Sequence, residues 1–146
     1  MKQFFIKPRV VTGGAVGLAS LILYWFTMAP GVLSHDSGEW QAAGATWGIS
    51  HAPGSPAYII FANIFSLLPL GNAAQRVTFL SVIMGAIGVV AVYGLVLLLF
   101  DRMLPALVAA ATLELAGVWW GNAVVATPYN AVPVAIVLLF ILLLLW

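Results

Sequence analysis

The stretch VTFLSVIMGAIGVVAVYGLVLLLF, Val77 to Phe100, decides the fold. It carries no charge over a length that exceeds the roughly 20 residues a helix needs to cross a bilayer. Ser81 and Gly85, four apart, offer a small-residue face against which another helix can pack closely. Asp101 and Arg102 mark the far end, which is expected in the cytoplasm. The composition agrees with a chain embedded in lipid. Hydrophobic residues make up 64% and charged residues 6% of the 146 positions, and the mean hydropathy is +1.13. A soluble domain needs charge over most of its surface, so such a balance belongs to the membrane. The net charge of +1 comes without a basic patch beyond a few N-terminal cations, so nucleic acid is not an expected partner. With no cysteine, disulfides and thiolate metal sites are excluded.

Upstream, Lys2, Lys7 and Arg9 precede an apolar run from Val10 to about Leu33 that is also long enough to span. Gly13 and Gly17 form a second small-residue pair. The three cations place the N-terminus in the cytoplasm by the positive-inside rule, and the residues from Ser34 onward outside it. A cleaved signal peptide is the rival reading, weakened by the length of the run and by Pro30 directly after Ala29. Downstream, Met103 to about Trp120 should return outward, with Trp119 and Trp120 as an aromatic belt, and Asn122 to Asn130 should form an outer turn. Ala131 to Trp146 goes back in but covers only about 24 Å at 1.5 Å per residue, short of a core of about 30 Å. The expectation is therefore an all-α multi-pass membrane protein with about four transmembrane helices. Residues 1–146 would form a single membrane domain, the N-terminal portion of a larger one whose C-terminal helices are partners of this part.

Between the first two spans lies the one long polar stretch, SHDSGEWQAAGATWGISHAPGSP from Ser34 to Pro56. Gly38 to about Ile49 is compatible with a short interfacial helix whose Trp40 and Trp47 share one face at headgroup level. Pro53 and Pro56 stop its continuation. Ala57 to Leu70 is only about 14 residues, a length that favours a second interfacial helix over a span.

Few residues here can carry chemistry. Asp36 and Glu39, three apart, fit a capping box with Asp36 as N-cap and Glu39 at N3. They also fit a general base at a membrane surface, with Asp36 as the catalytic carboxylate; the two readings are compatible. His51 is either a hydrogen-bonded structural residue or part of the same site. No His/Glu spacing suggests a zinc site, so no bound metal is expected. Arg76, at the start of the helix beginning at Val77, could hold an anion such as a lipid phosphate or snorkel to the interface. Glu114, roughly mid-helix, is an ionisable residue at bilayer depth. It would be functional, protonated, or paired with another helix.

Four stretches taken in order resemble a known family: Asp36-Ser37-Gly38-Glu39, His51-Ala52-Pro53-Gly54-Ser55-Pro56, Arg76-Val77 leading into Leu80-Ser81, and Trp120-Gly121-Asn122-Ala123-Val124-Val125-Ala126 before Tyr129. From about Gly31 onward the chain resembles the N-terminal region of the multi-pass family designated domain of unknown function 2723. That family is related to the transmembrane protein O-mannosyltransferases and similar to the GT-C glycosyltransferases. The resemblance implies the N-terminal part of a GT-C-like fold, with two short interfacial helices in the first outer loop. It implies a glycosyltransferase moving a sugar, mannose by analogy, from a polyprenyl-phosphate-linked donor to a hydroxyl of a protein or glycan acceptor on the outer face. A bacterial inner membrane is the expected location. By position, Asp36 would be the catalytic carboxylate and Glu39 its support, while His51, Arg76 and Tyr129 would contact substrate. No cofactor is implied beyond the lipid-linked donor. The chain departs from the family pattern at Ala52, where a second proline is usual, at Ser55, where an aromatic residue is usual, and at Thr127, where a glutamate is usual. The alternative function is a non-catalytic one: a transporter segment or lipid-binding scaffold, with Glu114 and Asp36 lining a path. Alone, without further helices, this part is expected to be inactive.

Overall fold

The computed structural model describes residues 2–52 and 54–146, with side chains from residue 8 onward; Pro53 and the side chains of Lys2 and Lys7, used above, lie outside the described residues. Among the described residues there are seven helices and no strand: α1 (Lys2–Thr27), α2 (His35–Thr46), α3 (Pro56–Ser66), α4 (Ala73–Phe100), α5 (Met103–Glu114), α6 (Gly117–Ala123) and α7 (Ala131–Leu145). Two of them are long and apolar enough to cross a membrane, α1 from Pro8 to Thr27 and α4; there are three if the bent pair α5 and α6 counts as one. The 15 residues of α7 reach about 22 Å, below the thickness of a bilayer core. The all-helical expectation therefore holds, while the full-length crossings number two or three where about four were expected.

α4 is the axis of the molecule and contacts all six other helices. Its seam with α1 lies where small residues were expected to permit it: a β-carbon at Gly17 would sit 2.8 Å from Val90 Cγ2, closer than carbon atoms pack. Gly85 faces Tyr24 of α1 and Ala123 of α6. Arg9 pairs with Asp101 at one end of this seam. At the opposite end Asn72 Nδ2 donates to the Pro30 carbonyl at 3.3 Å. The chain joining α1 to α2 and the chain leading into α4 therefore share one end of the bundle.

Two boundaries differ from the sequence reading. α4 starts at Ala73 rather than Val77, because Asn72 and Gln75 form a reciprocal capping box: Asn72 Oδ1 accepts from Gln75 N–H at 2.9 Å and Gln75 Oε1 from Asn72 N–H at 3.0 Å. That satisfies two otherwise free donors of the first turn. The expected helix from Met103 to Trp120 instead stops at Glu114 and bends by 65° into α6. The two tryptophans hold α6 off the axis: Trp119 Nε1 donates to the Gly85 carbonyl at 3.3 Å and Trp120 Nε1 to Thr27 Oγ1 at 3.2 Å. Trp119 is thus buried in the helix core instead of serving in an outer belt. The expected Ala57–Leu70 segment is helical only as far as Ser66, giving the 11-residue α3, about 16 Å long and too short to span. Its start at Pro56 uses the one helical position where a missing N–H costs nothing.

Candidate active site

α2 and α3 pack on each other and on α4, forming a cap of two short helices over the end that carries Asn72 and Pro30. Their shared core holds Trp40, Ala43, Tyr58, Ile59 and Ala62 against Val77 and Leu80 of α4. Trp40 was expected to lie with Trp47 in the membrane interface. It is instead 3% exposed, while Trp47 is 62% exposed and closes α2 in a left-handed conformation. The two indoles share a heptad spacing but not an environment, because Tyr58 of α3 covers only the first, at 5.6 Å between ring centroids.

Glu39 does not cap the helix. Ser34 occupies the N-cap position of α2 without a side-chain bond, so Asp36 falls within the first turn, where its charge complements the helix dipole. The carboxylate of Glu39 instead reaches across to the loop after α2. Oε2 accepts from His51 Nδ1 at 2.8 Å, and Oε1 accepts from the His51 backbone N–H. Both carboxylate oxygens are thereby committed to one residue. The imidazole leans on Trp40, with ring centroids 5.6 Å apart. Hydrogen bonding from the His51 ring and backbone holds the Glu39 carboxyl below its usual range. The bond to Glu39, then the charges of Glu39 and Asp36, raise the His51 imidazole above its usual value. Nδ1 carries the proton in this pair, which leaves Nε2 free. Asp36 and Glu39 lie three apart on α2, and His51 returns from the following loop to bond Glu39, with Asp36 near enough for its charge to act on the ring; the bond joining Glu39 and His51 lay outside the sequence reading.

Sequence reasoning also passed over the residues that place this group. A β-carbon on Gly38 would lie 2.1 Å from the Leu33 carbonyl oxygen, so only glycine lets the first turn of α2 press against the preceding chain. Gln41, 3% exposed, accepts from Leu33 N–H at 2.9 Å and donates to the Gly31 carbonyl at 3.1 Å and to Thr78 Oγ1 at 3.0 Å. It ties the entering chain, α2 and α4 together through one side chain. Asn63 Nδ2 donates to the Gly44 carbonyl at 3.1 Å, fastening α3 to α2. Their signal in the sequence is slight: Asn63 is an uncharged amide within an apolar run, and Gln41 is one polar residue among many in its stretch. Two buried polar groups flank the Glu39–His51 pair without a partner among the described residues, Trp40 Nε1 and Ser50 Oγ.

The remaining expected site residues lie apart from that group. Arg76 shares its end of the bundle but folds back on the α3–α4 turn, donating to the carbonyls of Leu70, Ser66 (3.1 Å) and Gly71 (3.0 Å). Tyr129 is 56% exposed, on the turn between α6 and α7. Beside it Thr127 is buried, its backbone locked to Ser81. Ser81 Oγ donates to the Thr127 carbonyl at 3.1 Å and accepts from the Thr127 N–H at 3.1 Å. That arrangement makes Tyr58 the donor in its 3.2 Å bond to the same oxygen. Burial pushes the Tyr58 phenol up to about 12. Glu114 is not mid-helix but the last residue of α5, where its backbone carbonyl accepts from the Tyr24 hydroxyl at 3.0 Å.

Residues 36–146 match the family described as Protein O-mannosyl-transferase TMEM260 N-terminal domain. The chain belongs to that family. It is accordingly an O-mannosyltransferase-related membrane domain, and the matched region opens on Asp36 and takes in Glu39, His51, Arg76 and Tyr129. No solved structure matches the chain.

Proposed function

We propose that the chain is the N-terminal part of a membrane glycosyltransferase of the GT-C kind, within the wider family designated domain of unknown function 2723. It transfers mannose from a polyprenyl-phosphate-linked donor to a hydroxyl of a protein or glycan acceptor. In this reading the N-terminus is cytoplasmic, α7 is the fourth crossing of a GT-C-like domain, and the cap of α2 and α3 faces the non-cytoplasmic side. The observation that carries it is the family match beginning at Asp36, together with the return of His51 to Glu39 of α2, within reach of the charge of Asp36.

Asp36 accepts the proton of the attacking hydroxyl as its oxygen bonds to the anomeric carbon with inversion. The carbon–oxygen bond to the lipid phosphate breaks, and its electron pair leaves on the phosphate oxygen. Arg76, whose guanidinium keeps N–H groups beyond those given to the turn, stabilises that leaving phosphate from the same end of the bundle. An apolar groove of about 540 Å³ between α3, α4 and α7 is lined by Tyr58, Phe61, Leu80, Met84 and Leu139. In this reading the groove takes the polyprenyl chain, its lining being almost wholly apolar. The test is Asp36→Asn in the full-length chain reconstituted in lipid vesicles with a polyprenyl-phosphate mannose donor. Transfer should fall by about 100-fold or more; transfer at the wild-type rate overturns the mechanism.

A further inference from the structure

We infer that His51, oriented through Nδ1 by Glu39, is the group on which the acceptor's proton comes to rest, with Nε2 as the accepting atom. This inference rests on the transferase reading and assigns a step within it. Three observations carry it. Both oxygens of Glu39 are bound to His51, one to the ring and one to the backbone. Glu39 therefore holds His51 at two points, ring and backbone, and its geometric effect is to fix the ring. Fixing Nδ1–H on a carboxylate leaves the lone pair on Nε2, the arrangement by which a carboxylate–imidazole pair accepts a proton in hydroxyl activation. Finally, the ring is held between Trp40 and solvent. Its side chain keeps 41% of its exposure, so an acceptor or a water can reach the free nitrogen.

In this scheme the proton taken from the hydroxyl at Asp36 is handed on to Nε2 of His51, whose ring Glu39 holds in place. The balance is closed. The hydroxyl O–H bond breaks and its proton ends on Nε2; the new carbon–oxygen bond forms as the phosphate leaves with its electron pair. The imidazolium, neutralised by Glu39, then returns the proton to water. The titratable groups facing the ring are Asp36 and Glu39 from α2; from α3, Tyr58 reaches it only through Trp40. Glu39 is a positioning residue in this scheme.

The experiment is the pH profile of mannose transfer by the full-length chain in vesicles, with His51→Gln and Glu39→Gln. A base must be unprotonated, so the wild-type rate should rise with pH through the His51 titration, above the ordinary imidazole value of about 6.5. Glu39→Gln removes the cause of that elevation and should move the rising limb to lower pH. His51→Gln should lower the rate by about 100-fold and abolish the limb. A His51→Gln protein with the wild-type limb and a rate within about threefold of wild type overturns the inference and leaves the transferase reading standing. No transfer by the wild type at any pH overturns both. A second measurement does not depend on turnover: nitrogen NMR of His51 in a His35→Gln background. The neutral ring should carry its proton on Nδ1; a proton on Nε2 overturns the proposal even where the His51 variant fails to fold.

Discussion

Among the described residues two ion pairs stand toward opposite ends of the bundle, one across the α1–α4 seam and one on the cap, and they differ in kind. At one end Arg9 meets Asp101, whose side chain is 81% exposed. An arginine stays charged throughout the accessible pH range, so this contact is a fixed latch between two long helices. At the other end Glu39 meets His51 with both partners about equally exposed. That pair uses two carboxylate oxygens, rests on a buried indole and contains an imidazole, the side-chain type whose charge changes near neutrality. The fastening of the two long helices is thus kept apart from the imidazole–carboxylate pair that braces the loop after α2.

The sharpest way to break this comparison is to remove the amide that supports the titrating end. Gln41→Leu leaves the half-buried Leu33 N–H and Gly31 carbonyl without this partner, each at a cost below the about 1–3 kcal/mol of a fully buried group. Thermal unfolding in detergent should therefore report a loss of about 1–3 kcal/mol, with hydrogen-exchange protection lost first across residues 31–46. A variant as stable as wild type would mean the cap is held by its apolar core alone.

Next in size is the pH response of the cap. His51 has a raised value in the folded chain, so its contribution is complete below about pH 6.5 and is lost as pH rises through the raised value. Glu39 has a lowered value, so its contribution is complete above about pH 4.3 and is lost as pH falls through the lowered one. Protection of the loop around His51 should accordingly be greatest between those limits, and Glu39→Gln should flatten the profile. A flat profile in the wild type would erase the distinction between the two ends.

The smallest effect is expected at the latch. Asp101→Asn should cost about 0–1 kcal/mol, diminishing with added salt. A loss as large as that of Gln41→Leu would reverse the order of the two ends.

Much of the architecture is legible in the residues themselves, because lipid imposes simple rules of length and polarity. Val77–Phe100 reads as a crossing, Ala57–Leu70 reads as too short, and Gly17 marks a helix seam. What escapes is whatever depends on a partner distant in sequence. Asp36 and Glu39 have the spacing of a capping box, yet Glu39 turns away because His51 returns to it twelve positions later. The real capping box, Asn72 with Gln75, hides in a stretch that reads as a loop because it lies outside the apolar run. The bend after Glu114 leaves no mark in hydropathy, since it is set by where two indoles find acceptors on α4 and α1. Likewise Arg76 presents the same charge to the reader whether it faces a ligand or the carbonyls of its own turn.

Since α4 contacts all the other helices, the cap and the latch ride on one rod. In the proposed orientation, a bilayer thicker or thinner than the rod's apolar length is accommodated by tilting it, and tilting would swing the cap as a unit. Lipid chain length would then set how deeply Asp36 and His51 sit, with no rearrangement inside the protein.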